Sequence, residues 1–378
     1  MIERTLFGDE HNIFRESVRR FLEKEIAPHH ARWEEQGIVD RSAWLAAGRE
    51  SLLCMTIPEQ YGGAGLDRLY PTILIEELTR TNLSGPNFPL HSEIVAPYLL
   101  NYGTEEQKLE WLPQMARGEV IGAVAMTEPS GGSDLAALRT TAVRDGDDFV
   151  INGQKTFISN GHLADLIVVA ARTTQGAGAK GVTLFLVEGD RPGFERGRKL
   201  DKIGLRAQDT AELFFNDVRV PASNMLGQLD RGFICLMQEL AWERTSIAIR
   251  AAALCEHAIR WTTDYTRDRQ AFGQSLFDMQ HTRFKLADWH AQTQVMRVFV
   301  DRCIELVVEG KLDATTAAVA KFQATDLLMR LLDDCVQMHG GYGFTREYLI
   351  GRAYSDSRYT KIAGGSNEIM RELIARTL

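Results

Sequence analysis

The chain has 378 residues, of which 44% are hydrophobic and 25% are charged, and its formal net charge is −8 at pH 7. This length exceeds one ordinary hydrophobic core and predicts two or three domains of a soluble globular protein. The negative charge argues against nucleic acid as a main partner. No apolar run reaches the length needed for membrane insertion.

Cysteine and histidine spacing argues against metal chemistry. The five cysteines form no CxxC pair and the nine histidines form no HExxH pair. We therefore expect neither a metal site nor a disulfide framework. The scattered cysteines fit a reducing compartment, so we expect a cytoplasmic location. The first ten residues lack the basic and then apolar pattern of a signal peptide.

Residues 1–118 have the pattern of an N-terminal helical domain. Apolar residues recur at helical spacing over 9–27, and the pattern predicts a helix that stops at Pro28. Thr104 and Gln107 have the spacing of a capping box, which predicts that another helix begins there. Gly- and Pro-rich stretches at 58–65 and 84–89 are typical of loops.

Residues 119–226 change to short runs rich in β-branched residues, separated by Asp-Gly and Asn-Gly turns. This texture predicts a middle antiparallel β domain. The clearest predicted strands are Val120–Met126, Phe149–Ile151, Leu166–Val169, Val182–Val187 and Leu213–Phe215.

Residues 227–378 return to long helical patterns. We predict helices over about 230–268, 279–309 and 313–338, and a shorter one from about 366. The expected N-caps are Asp230, Asp278 and Asp313. Together these helices predict a C-terminal four-helix bundle, so the fold class is α+β with three domains.

Three short motifs have both a structural and a functional interpretation. The Gly-Ser turn at 126–134 is either a plain turn or a loop whose N–H groups and hydroxyls bind an anionic or heterocyclic ligand. Phe157 ends a predicted hairpin strand, either as a core residue or as a cofactor wall. The glycines at 340–343 follow a helix, which favours a helix stop over a dinucleotide fingerprint.

Glu243 lies in the helix predicted after the β domain. Apolar residues continue from it at steps of three and four, at Ile247, Ala251, Leu254 and Ala258. The glutamate therefore falls at the edge of the buried face. A solvated or salt-bridged side chain is the structural alternative to a functional one.

The order and spacing of seven motifs resemble those of the acyl-CoA dehydrogenase family along essentially the whole chain, with local text closest to its long-chain members. The motifs are Pro58-Glu-Gln-Tyr-Gly-Gly, Met126-Thr-Glu-Pro-x-x-Gly-Ser-Asp134, Ile151-Asn-Gly-Gln-Lys-x-x-Ile-Ser-Asn160, Gly204-Leu-Arg-Ala-Gln-Asp-Thr210, Arg269-Gln-Ala-Phe-Gly273, Gln337-x-His-Gly-Gly-Tyr-Gly343 and Gly364-Gly-Ser-Asn-Glu-Ile369. The resemblance implies FAD, α,β-dehydrogenation of a fatty acyl-CoA, electron transfer to an electron-transfer flavoprotein, and a homotetramer built as a dimer of dimers.

The resemblance also implies roles for single residues. Ser159 takes the position of the hydroxyl that bonds flavin N5, Phe157 that of the aromatic beside the ring, and Ser133 that of a pyrophosphate contact. The remaining positions that match cofactor contacts are Met126, Thr127, Arg269, Phe272, Gln280, Gln337, Gly341, Ser366 and Glu368. Those from 269 to 341 would hold the adenosine-diphosphate half of a neighbouring subunit's FAD.

The catalytic base departs from the medium- and short-chain pattern. Those relatives carry a glutamate where this chain has Gly364, whereas long-chain and isovaleryl-type relatives carry it on the helix after the β domain, which is Glu243 here. The resemblance therefore implies that Glu243 removes the α-proton and that the N–H of Gly364 binds the thioester carbonyl. Ser133, Arg244, Ala363 and Gly365 are the expected substrate contacts.

Two other functions remain open at this point. One is a flavin oxidase or monooxygenase of the same fold that reacts with oxygen. The other is a partner subunit that keeps the fold without turnover. A salt bridge is also an alternative role for Arg244.

Overall fold

The structure is a computed structural model that describes residues 2–378. Its first part is helical. The helices are α1 (Asp9–Phe21), α2 (Ala27–Gln36), α3 (Arg41–Arg49), α4 (Leu69–Arg80), α5 (Phe88–Leu90), α6 (Ala96–Tyr102) and α7 (Glu105–Ala116). The predicted capping box is confirmed, because the Thr104 hydroxyl accepts from the N–H of Gln107 and the Gln107 side chain accepts from the N–H of Thr104.

The predicted helix stop at Pro28 is wrong. The chain passes from α1 through a π-helical turn (Leu22–Ile26) into α2, and the helix ends only at Gly37, whose φ is 70°. Pro28 is the second residue of α2. The π turn resets the hydrogen-bond ladder there, so proline sits where a missing N–H does little harm.

The second part is a β-sheet, as the short β-branched runs of the sequence predicted. Its strands are β1 (Gly122–Ala125), β2 (Thr141–Asp145), β3 (Asp148–Ser159), β4 (Leu166–Arg172), β5 (Val182–Glu188), β6 (Phe194–Lys199), β7 (Thr210–Pro221) and β8 (Met225–Leu226). The order is β6-β7-β3-β2-β4-β5-β8, and β1 pairs with β4. Most pairings are antiparallel, but β1 runs parallel to β4, and β2 touches β4 in parallel at Thr141 and Arg172.

The third part consists of long helices with a small hairpin between the first two. Its elements are α8 (Gly232–Asp268), β9 (Gln270–Ala271), β10 (Gln274–Ser275), α9 (Gln280–Val308), α10 (Ala314–His339), α11 (Leu349–Ser357) and α12 (Asn367–Ala375). The predicted helices are confirmed to within about two residues, and α11 is additional.

One of the three predicted N-caps is confirmed. Asp313 accepts hydrogen bonds from the N–H groups of Thr315 and Thr316. The prediction for Asp230 is wrong, because its carboxylate accepts from the hydroxyls of Thr173 and Thr174 instead. The prediction for Asp278 is also wrong, since that residue lies in a 3-10 turn and α9 begins at Gln280.

The three parts share their cores. The apolar faces of α8, α9 and α10 pack together and include Leu69 and Ile75 from α4. A second core joins α6 and α7 to β4 and β5. The helix–β–helix order is therefore confirmed, and α8 lies where the three parts meet. No helix within residues 2–378 is long and apolar enough to cross a membrane.

Candidate active site

Glu243 and Gly364 lie side by side although they are far apart in sequence. Gly364 precedes α12, and a Cβ at this position would lie 3.6 Å from Oε1 of Glu243 and 2.8 Å from Cδ1 of Ile247. The φ angles of Gly364 and Gly365 are 65° and 86°, a region that favours glycine. The glycine turn (residues 363–366) therefore brings bare backbone next to the Glu243 carboxylate.

The surroundings of Glu243 favour its neutral form. The residue is only partly exposed, and its Oε2 atom is buried without a hydrogen-bond partner among residues 2–378. Burial raises the pKa of Glu243, although the charges of Arg244 and Lys321 oppose the shift. An unpartnered buried oxygen costs about 1–3 kcal/mol and is typical of a group reserved for a ligand.

Tyr98 on α6 is a second buried polar group near Glu243. Its hydroxyl has no partner within the described chain. Burial raises the pKa of Tyr98, and the charge of Glu243 adds to the shift. One turn along each helix, the hydroxyl of Tyr102 donates to Glu239 over 2.9 Å, which ties α6 to α8.

Two cationic side chains hold the glycine turn from behind. Nε of Arg244 donates to the Gly364 carbonyl over 3.2 Å, and Nζ of Lys321 donates to the Gly365 carbonyl over 2.8 Å. No hydrogen bond within residues 2–378 uses the N–H of Gly364. The two carbonyls of the turn are therefore fixed, and the N–H of Gly364 is left without a partner in the described chain. An oxyanion site requires a backbone donor of this kind, held in place before substrate binds.

Arg244 makes no salt bridge with a carboxylate in the part of the chain that the structure describes. The role of Arg244 is therefore a hydrogen bond to the Gly364 carbonyl, and not the salt bridge that the sequence left open. Lys321 was not predicted from the sequence. The sequence did offer one signal for it. Lys321 lies between Ala320 and Ala324, on a helix face where the neighbouring residues are buried alanines.

The residues expected to contact the flavin ring also lie together. The N–H of Thr156 donates to the carbonyl of Thr127, and Nζ of Lys155 donates to the carbonyl of Met126 over 3.1 Å. Lys155 also forms a buried ion pair with Glu128 at 2.8 Å. Burial works against the charge of Glu128, yet Lys155 holds the pKa of Glu128 below its usual value. These contacts fix the 126–128 segment against the end of β3.

Phe157 points away from the core. Its side chain is 67% exposed and its φ is 58°, at a bulge in β3 between Lys155 and Ile158. A bulky residue at positive φ is strained, and such strain often accompanies function. The bulge re-aims the ring towards a surface where a flat ligand can pack.

Ser159 receives a hydrogen bond that leaves its own proton free. Nε2 of Gln208 donates to the Ser159 hydroxyl oxygen over 2.9 Å. The loop that carries Gln208 is tied to α11, because the N–H of Leu205 donates to the carboxylate of Asp356. Gln208 lies inside a motif used for the family resemblance, but no role was predicted for it.

Comparison with known proteins identifies the family to which the chain belongs. Acyl-CoA dehydrogenase N-terminal, middle and C-terminal domain models match residues 8–119, 123–218 and 230–378. The mitochondrial long-chain specific acyl-CoA dehydrogenase of Sus scrofa is 49% identical over 377 residues, 99% of this chain and 88% of that protein. The chain belongs to the acyl-CoA dehydrogenase family.

Solved structures of this family have the same fold as this chain. A crystal structure of an acyl-CoA dehydrogenase from Geobacillus kaustophilus has a TM-score of 0.97 and 46% identity, covering 99% of both chains. An acyl-CoA dehydrogenase from Bacillus anthracis complexed with FAD has a TM-score of 0.91 and 29% identity, covering 100% of this chain and 69% of that one. Family membership confirms the expectation of an FAD-dependent acyl-CoA dehydrogenase.

A second group of expected cofactor residues lines an open groove of about 700 Å³ at the far end of α8. Arg269, Gln337 and Gly341 line it. Phe272, 96% exposed at a φ of 52°, belongs to the hairpin that follows Arg269, and the exposed Gln280 begins α9. Three of the five residues therefore share one groove, and the other two lie in the hairpin and at the start of the helix that follow Arg269 in the chain.

The groove and Glu243 are far apart within one chain. Arg269 caps the end of α8, about seven turns or roughly 39 Å along the helix from Glu243. The residues expected to contact the cofactor therefore fall into two groups, and the group in the groove lies far from Glu243 along α8.

The last expected contacts have structural roles as well. The Ser366 hydroxyl caps α12 by accepting from the N–H of Ile369 over 3.4 Å. Glu368 is exposed, with its carboxylate 3.6 Å from Arg371. Ser133 is exposed in the loop after β1, and Ala363 lies beside Gly364 in the turn. No cluster of side chains suited to a metal ion is present in residues 2–378.

Proposed function

We propose that this acyl-CoA dehydrogenase removes the α-proton of a fatty acyl-CoA with Glu243 and forms a trans-2-enoyl-CoA. The closeness of the Glu243 carboxylate to the glycine turn carries the proposal, because a Cβ on Gly364 would lie 3.6 Å from Oε1 of Glu243. The same turn has the N–H of Gly364, which no hydrogen bond among residues 2–378 uses. Proton removal next to a carbonyl needs both groups.

The N–H of Gly364 supplies the electrostatic half of the reaction. The α-proton of a thioester is too weakly acidic for a carboxylate in water, so negative charge on the carbonyl oxygen must be stabilised as it develops. Gly364 has an unused N–H, and its carbonyl is held away by Arg244. This arrangement orients the donor before substrate binds.

Burial makes Glu243 a better base. A carboxylate of ordinary pKa gains little by accepting a proton from carbon. The raised pKa of Glu243 follows from burial first, against the charges of Arg244 and Lys321. Substrate binding removes further water, which continues the shift in the same direction.

The residues on the β domain fit a flavin. Phe157 offers an exposed ring, and the hydroxyl of Ser159 keeps a free proton because Gln208 supplies its other bond. Met126, Thr127 and Ser133 would hold the rest of the nearby cofactor half. With FAD held by these residues, flavin N5 would supply the acceptor for the β-hydrogen, which leaves the substrate as hydride.

The remaining expectations belong to the same proposal. The groove that contains Arg269, Gln337 and Gly341 would hold the distal half of a neighbouring subunit's FAD in a homotetramer. Electrons would pass to an electron-transfer flavoprotein. The five free, buried cysteines fit a cytoplasmic location. Ala363 and the two glycines leave room for a long acyl chain, and Gly365 would border it with Ser133.

Replacing Glu243 tests the proposal. Glu243→Gln should keep bound FAD and abolish anaerobic bleaching of the flavin by acyl-CoA. Glu239→Gln, one turn earlier on α8, is the matched control and should bleach like the wild type. Bleaching of Glu243→Gln at the wild-type rate would show that another group is the base.

A further inference from the structure

Lys321 is an unusual residue for the interior of a helical domain. Its side chain is 0% exposed, and it lies on the face of α10 that also buries Ala317, Ala320 and Ala324. Burying an ammonium group costs several kcal/mol unless it is well partnered. Lysine at this position therefore needs a reason beyond packing.

Its partners are all in or next to the glycine turn. Nζ donates to the Gly365 carbonyl over 2.8 Å and to Oδ1 of Asn367 over 2.9 Å. The hydroxyl of Thr325 also donates to Oδ1 of Asn367. No carboxylate lies within 4.0 Å of Lys321 among residues 2–378, so its charge is not cancelled by an ion pair.

Lys321 and Arg244 act on consecutive peptide groups from two different helices. Arg244 on α8 holds the Gly364 carbonyl, and Lys321 on α10 holds the Gly365 carbonyl. Both glycines have positive φ, and a turn without side chains has few other contacts to fix it. These two bonds therefore fix the two peptide groups that directly follow the Gly364 N–H, and the bond from the Ala363 N–H to the Tyr359 carbonyl fixes the chain before it.

We propose that Lys321 is a positioning residue for proton abstraction, which fixes the glycine turn against Glu243 and favours the ionised form of that carboxylate. The inference rests on the proposed role of Glu243 as the base. Lys321 acts through the turn and through its charge. It does not touch the reacting atoms in this assignment.

The charges around Lys321 determine how its effect depends on pH. The pKa of Lys321 is lowered to about 8, first by burial and then by the charge of Arg244 and, more weakly, of Lys361, while Glu368 and Glu243 act in the opposite direction. Tyr98 faces Glu243 from α6. As pH rises past this range, Lys321 loses its proton and stops favouring ionised Glu243. The ammonium is fully present at lower pH.

Three variants separate the bond from the charge. Lys321→Met removes both, Lys321→Gln keeps a donor for the Gly365 carbonyl without the charge, and Lys361→Met is the control. Lys361 precedes the same turn but pairs with Asp326 at 2.8 Å. The measurements are anaerobic flavin reduction by acyl-CoA across pH, and amide hydrogen exchange of residues 362–367.

For Lys321→Met we expect faster amide exchange in 362–367 and flavin reduction slowed on the order of 10- to 100-fold, since small misplacements of catalytic groups have effects of this size. Its pH profile should move to higher pH, because losing a nearby positive charge raises the pKa of a carboxyl. Lys321→Gln should restore normal exchange and most of the rate while keeping the shifted profile. Lys361→Met should match the wild type in rate and in amide exchange, while the pH at which Lys321 loses its proton should move slightly upward because the charge of Lys361 is gone.

Wild-type rate, pH profile and amide exchange in both Lys321 variants would overturn the proposal. This outcome is distinct from failure of the proposed function, which shows as bleaching by Glu243→Gln. Slow reduction in Lys321→Met with unchanged exchange and an unchanged profile would also overturn it, since that pattern indicates a general packing defect.

Discussion

Oε1 of Glu243 lies 3.6 Å from the point that a Cβ on Gly364 would occupy. A base at 243 and a base at 364 would therefore approach nearly the same volume from two elements, α8 and the turn before α12. Glycine at 364 leaves that volume to Glu243.

Adding a side chain at 364 should destabilise the protein. Gly364→Ala forces a left-handed φ on alanine, at about 1–2 kcal/mol, and places Cβ 2.8 Å from Cδ1 of Ile247. We expect the free energy of unfolding to fall by roughly 2–3 kcal/mol in total. Denaturant unfolding monitored by circular dichroism measures this change.

Gly310→Ala is the matched control. Gly310 has a φ of 68°, but a Cβ there would meet no atom within 4 Å, so this variant reports the cost of φ alone. Ile247→Val removes Cδ1 and should recover part of the loss in Gly364→Ala but none in Gly310→Ala. Equal losses in the two alanine variants would show that the contact with Ile247 contributes nothing.

The raised pKa of Glu243 also predicts a pH-dependent stability. Because the folded state holds this proton more tightly than the unfolded chain, the stability contribution of Glu243 is complete below the ordinary carboxyl pKa and declines as pH rises through the folded value. Glu243→Gln cannot ionise. It should be more stable than the wild type at neutral pH, and the difference should vanish at acid pH.

Thermal unfolding of the FAD-bound proteins between pH 4 and 8 measures this difference. Glu239→Gln should show no comparable gain, because its carboxylate accepts bonds from Asn101 and Tyr102. A Glu243→Gln variant that is less stable than the wild type at every pH would contradict the assignment of a buried carboxyl with a raised pKa.

Gln208 should influence the flavin through Ser159. Removing its amide in Gln208→Leu frees the Ser159 hydroxyl to turn, because the 2.9 Å bond that orients it is lost. We expect retained FAD with a changed visible spectrum and slower reduction, in the same direction as Ser159→Ala but smaller. Gln154→Leu, an exposed glutamine on β3, is the control. A wild-type spectrum and rate for Gln208→Leu would remove it from the site.

Local patterns predicted most of the fold because their causes are local. The apolar spacing of α8, the Thr104 capping box and the Asp313 cap depend on neighbours within a few residues. The helix stop predicted at Pro28 was wrong because a π turn precedes the proline and places it at the second position of α2. The N-cap predicted at Asp230 was wrong because its carboxylate accepts hydrogen bonds from Thr173 and Thr174, which lie in a loop distant in sequence.

The site was predictable only through the family resemblance. Periodicity placed Glu243 at the edge of a face but gave no sign that it lies beside Gly364, or that Lys321 on another helix bonds the Gly365 carbonyl of the same turn. Helical spacing reports which face is buried. It does not report which distant element covers that face, so Lys321 and Gln208 were found only in the structure.

The distance between Glu243 and the groove predicts complementation between inactive subunits. Arg269 lies roughly 39 Å along α8 from Glu243, so the groove of one chain would complete the cofactor site of another. Glu243→Gln subunits keep an intact groove, and Arg269→Glu subunits keep the base. Each variant alone should fail to bleach with acyl-CoA, the second because it retains FAD poorly.

When the two are co-expressed with different affinity tags and purified through both, bleaching should return. In the mixed oligomer, a subunit with intact Glu243 can use the groove of a Glu243→Gln neighbour. Arg267→Glu is the control for Arg269→Glu, since the guanidinium of Arg267 packs on Phe277 and belongs to no expected cofactor contact; it should be active alone. Mixed oligomers that stay inactive would show that each chain holds its cofactor by itself, and the groove would then need another role.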